Sequence, residues 1–395
     1  MLERRTEGEI SAKPHSKFHP KSEPRGLASY EYVFTRDGFA GGFSIMHLRH
    51  EPNAIERQTP FQGDADRIIG VCSLDRESPF ARRHIKTWEA PSGKNLLESR
   101  TALFRNETTR VSVIRGQAQA DYAFANWTAD ELYFIQEGAG TLVTPFGFLT
   151  FDQHDYLLIP KGVPYRLEHT GKIEMLLIEA TEHLGIPHDF RNPHGQLKLE
   201  APYTHRNFRH PINPAGLLAK DYFTTIVALA GDSLVEQRYK LAPFQTYGWD
   251  GSVYPMAFHI LDYLPKTGKY HLPPNLHLTF QSRDFAVCSF VPRMVDYGEG
   301  AIPCPYPHAN VHCDEIIYYV RGNFTSRQGI GPRSISFHPV GQPHGPQPGN
   351  YLASMGHKQT DELAVMLDTW KPLKSTKYAL EIEDRSYQQS WVPKS

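Results

Sequence analysis

Two stretches of this chain repeat one pattern. Residues 124–138 read FANWTADELYFIQEG and residues 308–322 read HANVHCDEIIYYVRG. Ala, Asn, Asp, Glu and the closing Gly coincide without a gap, and the apolar positions after the Asp-Glu pair agree in type. Each block is followed by a second matched turn, LLIPKGVPYR in the first copy and SFHPVGQPHG in the second. There Pro160, Gly162 and Pro164 correspond to Pro339, Gly341 and Pro343. Two ordered blocks at nearly the same separation imply two copies of one structural unit, which limits the folds open to the chain more than any single motif.

The unit is built of strands. Short runs such as ELYFI, DYLLIP, EMLLIEA, FAVCSFV, EIIYYV and ELAVMLDTW are β-branched or aromatic and about five residues long. They lie between 30 Gly and 31 Pro spread along 395 residues, and helical periodicity is scarce. This is an all-β pattern of small barrels or sandwiches. Basic residues number 42 and acidic residues 43, so the surplus of positive charge expected of a nucleic-acid binder is missing. A small anionic ligand needs only one or two local cations and stays open. Cys72, Cys288, Cys304 and Cys313 form no C-x-x-C pair and no disulfide framework. No apolar run approaches the ~18 residues of a membrane span, and the charged N-terminal stretch has no secretory core. A cytoplasmic protein, with neither membrane nor nucleic acid as partner, is expected.

The repeat also separates scaffold from function. Phe124 stands where His308 does, and Tyr165 where His344 does; the carboxylate is common to both copies, as Glu131 and Glu315. Histidines that served the scaffold should recur in both units. Two imidazoles and one carboxylate are the ligand set of the facial triad that holds mononuclear Fe(II) with positions open for substrate and O₂. Zinc accepts the same ligands. His308 and Glu315 are an odd number of residues apart, so strict alternation would turn them to opposite faces; a loop or bulge must lie between them. His312 stands as an alternative ligand, a residue behind the ligands, or a substrate contact. The plainer interpretation of His308 and His344 is a pair of hydrogen-bonded histidines at loop ends.

The motifs PYPHANVHCDEIIYYVRGNFTSR, SISFHPVGQPHGPQPG and TDELAVMLDTWKPL are similar to the C-terminal barrel of homogentisate 1,2-dioxygenases. DELYFIQEGAGTLVTPFGFLTFDQHDYLLIPKGVPYR resembles the N-terminal barrel, and GEISAKPHSKF with GFAGGFSIMHLRHEP resembles the opening of the shorter bacterial-type members. The resemblance implies a bicupin of two related jelly-roll barrels. The expected segments are an irregular N-terminal part (1–100), a degenerate metal-free barrel (101–200), a connecting β segment (201–285) and the iron barrel (286–395). It implies Fe(II) held by His308, Glu315 and His344. It implies O₂-dependent opening of homogentisate to an unsaturated diketo acid, maleylacetoacetate, in aromatic amino-acid catabolism, and a homo-oligomer built from trimers.

On the same resemblance His338 is a pocket histidine and Tyr306 a substrate contact. Arg327 falls where a basic residue meets the substrate's carboxylate. Two positions depart from the longer members: Pro255 stands in place of a pocket histidine and Phe324 in place of a tyrosine. The general acid/base is then sought in His277 or His271, which flank a Pro-Pro, with His271 and His312 further candidates for substrate contact. Other readings are the same chemistry on another hydroquinone-type acid, a non-enzymatic bicupin that binds ligands, and a metal-dependent isomerase or hydrolase on the same barrel.

Overall fold

The computed structural model describes residues 3–75, 80–269, 274–324, 326–327 and 329–392. Strands dominate it, as alternating apolar runs between Gly and Pro require. In the first unit they are β1 (Asp130–Glu137), β2 (Asp155–Ile159) and β3 (Ile173–Ala180). In the second they are β4 (Phe285–Phe290), β5 (Asp314–Arg321), β6 (Ser334–His338) and β7 (Leu363–Thr369). An eight-stranded sheet carries the order β2-β1-β3 followed by Thr109–Gly116 and Arg100–Arg105. A six-stranded sheet carries the matching order β6-β5-β7-β4 followed by Leu278–Gln281. The equivalence reaches single hydrogen bonds. Asp130 accepts from the Lys161 and Leu184 amides at 2.7 and 2.9 Å, and Asp314 accepts from the Val340 and Leu373 amides at 2.7 and 2.6 Å. The fold is thus an all-β bicupin.

Segments outside the repeat stitch the two units together. Arg83–Lys86 pairs with β6 of the second unit, Met256–His259 with β2 of the first, and Lys374–Ser375 with Arg100–Arg105. The stretch before residue 100 is accordingly woven into both units. It also supplies Tyr30–Thr35 and Phe43–Leu48 to a further sheet closed by Thr246–Gly251.

Alternation along each strand makes two kinds of interior. Leu132, Phe134, Tyr156 and Ile178 of the first unit meet Ile316, Tyr318, Phe337 and Val365 of the second in one core. Phe134 and Tyr318 lie 6.3 Å apart there, and Phe104 and Phe337 lie 5.1 Å apart. On its opposite face the first unit is filled by Phe124, Tyr133, Ile159, Tyr165 and Leu177. On its opposite face the second unit carries Glu315, Ile317, Tyr319, Ala364 and Met366, which line a cavity of about 120 Å³.

Candidate metal centre

Glu315 is the second residue of β5 and points to the cavity face; His338 ends β6 directly opposite it. The other two residues come from chain that is not regular strand. His308 and His344 form an isolated antiparallel bridge, His308 N–H to His344 O at 2.8 Å and His344 N–H to His308 O at 2.7 Å. Phe124 and Tyr165 make the same bridge in the first unit, both bonds 2.8 Å. Residues 309–313 between His308 and β5 are not strand, which lets His308 turn to the face of Glu315. Gly345, at φ +125°, allows the His344 loop to approach Tyr306 and Pro307; a Cβ there would lie 2.9 Å from Pro307 Cα.

One ligand atom from each of His308, Glu315 and His344 falls within 4.8 Å of the others. Each imidazole is oriented through its Nδ1 by the carbonyl two residues earlier: His308 by Tyr306 at 3.2 Å and His344 by Gln342 at 2.8 Å. A ring whose Nδ1–H is so engaged presents an Nε2 lone pair. His344 Nε2 is buried, lacks a hydrogen-bond partner and lies 3.6 Å from Glu315 Oε2. A buried acceptor left unpaired is costly. Two Nε2 lone pairs and a carboxylate oxygen directed at one point fit a divalent cation.

Charge around the cluster supports a ligating carboxylate. Burial alone would raise the Glu315 carboxyl, but the hydrogen bond from His338 and the neighbouring His344 imidazole hold it well below the usual range. Burial brings His338 down to about 4, against the opposing pull of Glu315, so this ring is neutral at pH 7. Burial and the neighbouring His344 lower His308 as well. His344 moves the other way: burial opposes the shift, and Glu315 raises it. A cation held there would compete with protonation of that nitrogen, because the same lone pair is needed as a ligand.

His338 does not line the cavity. It is fully buried, bonds Glu315 Oε1 through Nδ1 at 2.7 Å, and stacks on His344 with centroids 5.0 Å apart and planes 8° apart. The ring thus faces the Glu315 carboxylate and not the cavity, where a pocket histidine was expected. Tyr387 and Trp391, from the last described turn of the chain, cover it at 3.5 Å (Oη to Nε2) and 5.7 Å (between centroids). His277 does line the cavity, its ring 4.8 Å from Phe290. Phe324 lines it too, edge-on to Tyr319 at 4.6 Å. His312 is exposed, outside the three-residue cluster and outside the cavity wall. Tyr306 is half exposed and contributes its carbonyl to His308; the cavity wall beside it is made by Pro303 and Pro305. His271 lies outside the described residues. Pro255 is buried just before Met256–His259 in the first unit and does not line this cavity.

Arg327 is buried and lines the cavity, as a residue close to substrate should. Its donors are largely committed, however. Nε bonds Tyr319 Oη at 3.0 Å, and Nη1 bonds the carbonyls of Ser326 and Gly345. Nη2 faces Glu315 Oε1 at 3.9 Å, and the guanidinium lies over Trp391 at 5.6 Å. Two parallel N–H groups are therefore not left on it for the substrate carboxylate expected at this position from the sequence.

Sequence reasoning passed over Arg293, Thr360 and Glu362 in the cavity wall, and Asp368. Asp368 pairs across β7 and β5 with Glu315, as Glu179 pairs with Glu131. Burial and the Glu315 charge push its carboxyl up to about 7. Extending the repeat alignment by one more strand would have found that position.

In the first unit an arginine occupies the electrostatic place of a cation. The buried Arg100 guanidinium pairs with Glu131 at 3.0 Å and with Glu179, and Tyr165 donates to Glu131 at 2.7 Å. Phe124 and Tyr165 offer no metal-ligating nitrogen.

Residues 105–260 match the family model for the homogentisate 1,2-dioxygenase N-terminal domain, and residues 275–395 match that for its C-terminal domain. The chain is 33% identical over 390 residues to a protein of Saccharolobus solfataricus named "Putative dioxygenase", covering 98% of each. It is 26% identical over 279 residues to the homogentisate 1,2-dioxygenase of Rhodopseudomonas palustris. That match covers 67% of this chain and 60% of the relative, so it spans less than two thirds of the longer protein. Among solved structures, a cupin-barrel protein from Leptotrichia buccalis overlays with a TM-score of 0.34 at 9% identity, over 73% of this chain and 96% of that one.

Proposed function

The chain belongs to the homogentisate 1,2-dioxygenase family, and on that premise we propose that it is an Fe(II)- and O₂-dependent dioxygenase that opens the ring of a hydroquinone-type aromatic acid, homogentisate first. The observation that carries this reading is the convergence of His308, Glu315 and the unpartnered, buried His344 Nε2 beside the cavity that His308 and Glu315 line. These three residues would hold the iron. When bound, Fe(II) supplies the route by which triplet O₂ reacts with a singlet aromatic.

The chain's own residues do the rest. His338 fixes Glu315 through the 2.7 Å bond and so sets where the carboxylate points. Ile317, Phe324, Ala364 and Met366 form walls that fit an aromatic ring and exclude water. Two neutral imidazoles and one carboxylate leave a divalent ion with about one net positive charge, which favours a phenolate over a phenol. His277, on the cavity wall, is the candidate to take the phenolic proton as a neutral imidazole.

A cytoplasmic homo-oligomer is part of the same proposal. Its four cysteines are free, and among the described residues no helix is long and apolar enough to cross a membrane. Met294, Tyr297, Tyr306, Val311, Leu352 and Met355 are exposed on segments 293–313 and 350–360, which frame the cavity. Apolar surface of this kind suits contact between copies. The test of function is metal analysis of anaerobically purified protein, then O₂ uptake with homogentisate, gentisate and hydroquinone. One iron per chain and uptake with an acid-bearing hydroquinone are expected. Activity with zinc and without O₂ would overturn the reading.

A further inference from the structure

We infer that Arg293, at the outer end of the cavity, reads the substrate's acid group, while Arg327, at the inner end, holds the ligand set together. The inference rests on the functional reading above and adds to it the residue that sets substrate choice.

The described cavity wall contains two guanidinium groups, and they differ in what they still have to offer. Arg327 ties three pieces of the site: Tyr319 on the Glu315 strand, Gly345 next to His344, and Trp391 of the C-terminal turn. Its remaining nitrogen faces the ligand carboxylate itself. Lysine could not make this set of bonds, because the geometry uses a rigid fork with several donors. Arg327 is therefore a positioning residue for Glu315 and His344.

Arg293 donates through Nη1 to Val291 O at 3.0 Å and through Nη2 to Glu362 Oε1 at 3.0 Å, with Phe290 beneath its guanidinium at 5.5 Å. Its Nε makes no hydrogen bond among the described residues and remains for an arriving anion, whereas every nitrogen of Arg327 already faces an oxygen. A guanidinium already fixed by a carbonyl and a carboxylate loses little freedom on taking another acid group. Its position matters as much. Glu362 immediately precedes β7, whose Ala364 is opposite Tyr319, and Tyr319 lies four residues past Glu315 on β5. At ~3.3 Å per residue those rows are roughly 13 Å apart along the strand. An acid on a flexible arm reaches the Arg293 end more readily than an acid fixed to the ring. Homogentisate should therefore be preferred over gentisate.

The test compares Arg293→Leu and Arg293→Gln with Arg327→Lys, using anaerobic iron titration and anaerobic equilibrium binding of homogentisate, gentisate and hydroquinone to iron-loaded protein. Both Arg293 variants should weaken homogentisate binding about tenfold to a hundredfold and hydroquinone much less, with iron affinity close to the parent's. Arg327→Lys should weaken iron binding at least about tenfold while keeping the parent's ratio of homogentisate to hydroquinone affinity. The inference is overturned if the Arg293 variants keep that ratio, or if Arg327→Lys abolishes it with iron affinity intact. Parent protein that binds these compounds but consumes no O₂ would sink the functional reading and still let the binding ratios decide the role of Arg293.

Discussion

His338 Nδ1 and Glu315 Oε1 lie 2.7 Å apart across the β5–β6 ladder, with the imidazole fully buried. The bond makes a neutral histidine the anchor of the carboxylate proposed to hold the metal. Replacing it should loosen the metal without touching a ligand. His338→Leu is expected to lower iron affinity about tenfold to a hundredfold, the usual cost of losing such a partner. Anaerobic iron titration measures this, and parent-like affinity would assign His338 another role.

His344→Ala should lose iron and ring cleavage together and keep the far-UV circular dichroism of the parent. The ring contributes the unpartnered Nε2, while the bridge to His308 uses backbone atoms that alanine retains. Full iron occupancy in this variant would remove His344 from the ligand set.

The first unit should stay metal-free even when its ligands are restored. Phe124→His with Tyr165→His recreates the donor set beside Glu131, but Arg100 already neutralises that carboxylate from within. Metal binding at the first unit should appear only when Arg100 is replaced as well. Metal stoichiometry by mass spectrometry distinguishes one ion per chain from two.

Acid stability should report Glu179. Burial alone would raise its carboxyl, but Arg100 and Arg110 bring it down to about 2. A depressed folded value means that its contribution is complete above the unfolded value of about 4.5 and is lost as pH falls through about 2. Glu179→Gln leaves buried guanidinium charge uncompensated and should cost about 3–5 kcal/mol at pH 7. Its stability should also fall less steeply between pH 4.5 and 2 than the parent's. Urea titrations across that range provide the comparison.

Asp314→Ala should destabilise the second unit by about 2–4 kcal/mol, because it strips two amides, Val340 and Leu373, of their acceptor. The Val340 bond also steadies the approach to the His344 loop, so iron affinity should fall with stability. Chemical denaturation of metal-free protein separates the two effects.

The repeat in the amino-acid sequence determined much by itself. It paired Phe124 with His308, Tyr165 with His344 and Glu131 with Glu315, and the structure shows those pairs as equivalent bridges and equivalent strand positions. Local pattern suffices there, because a strand's alternation and a turn's Gly and Pro act over a few residues. The placements of His338 and Arg327 were not legible. Whether a side chain enters a cavity or spends its donors on its neighbours depends on residues far away in sequence, here Gly345, Tyr387 and Trp391. Arg293 and Glu362 were invisible for the same reason: 69 positions apart, they meet only where the chain's return strands close the barrel. The sequence determined which units form and which one carries the two imidazoles beside its carboxylate. The tertiary structure decided which charged side chains line the cavity, because burial and hydrogen-bond partners are set by long-range packing.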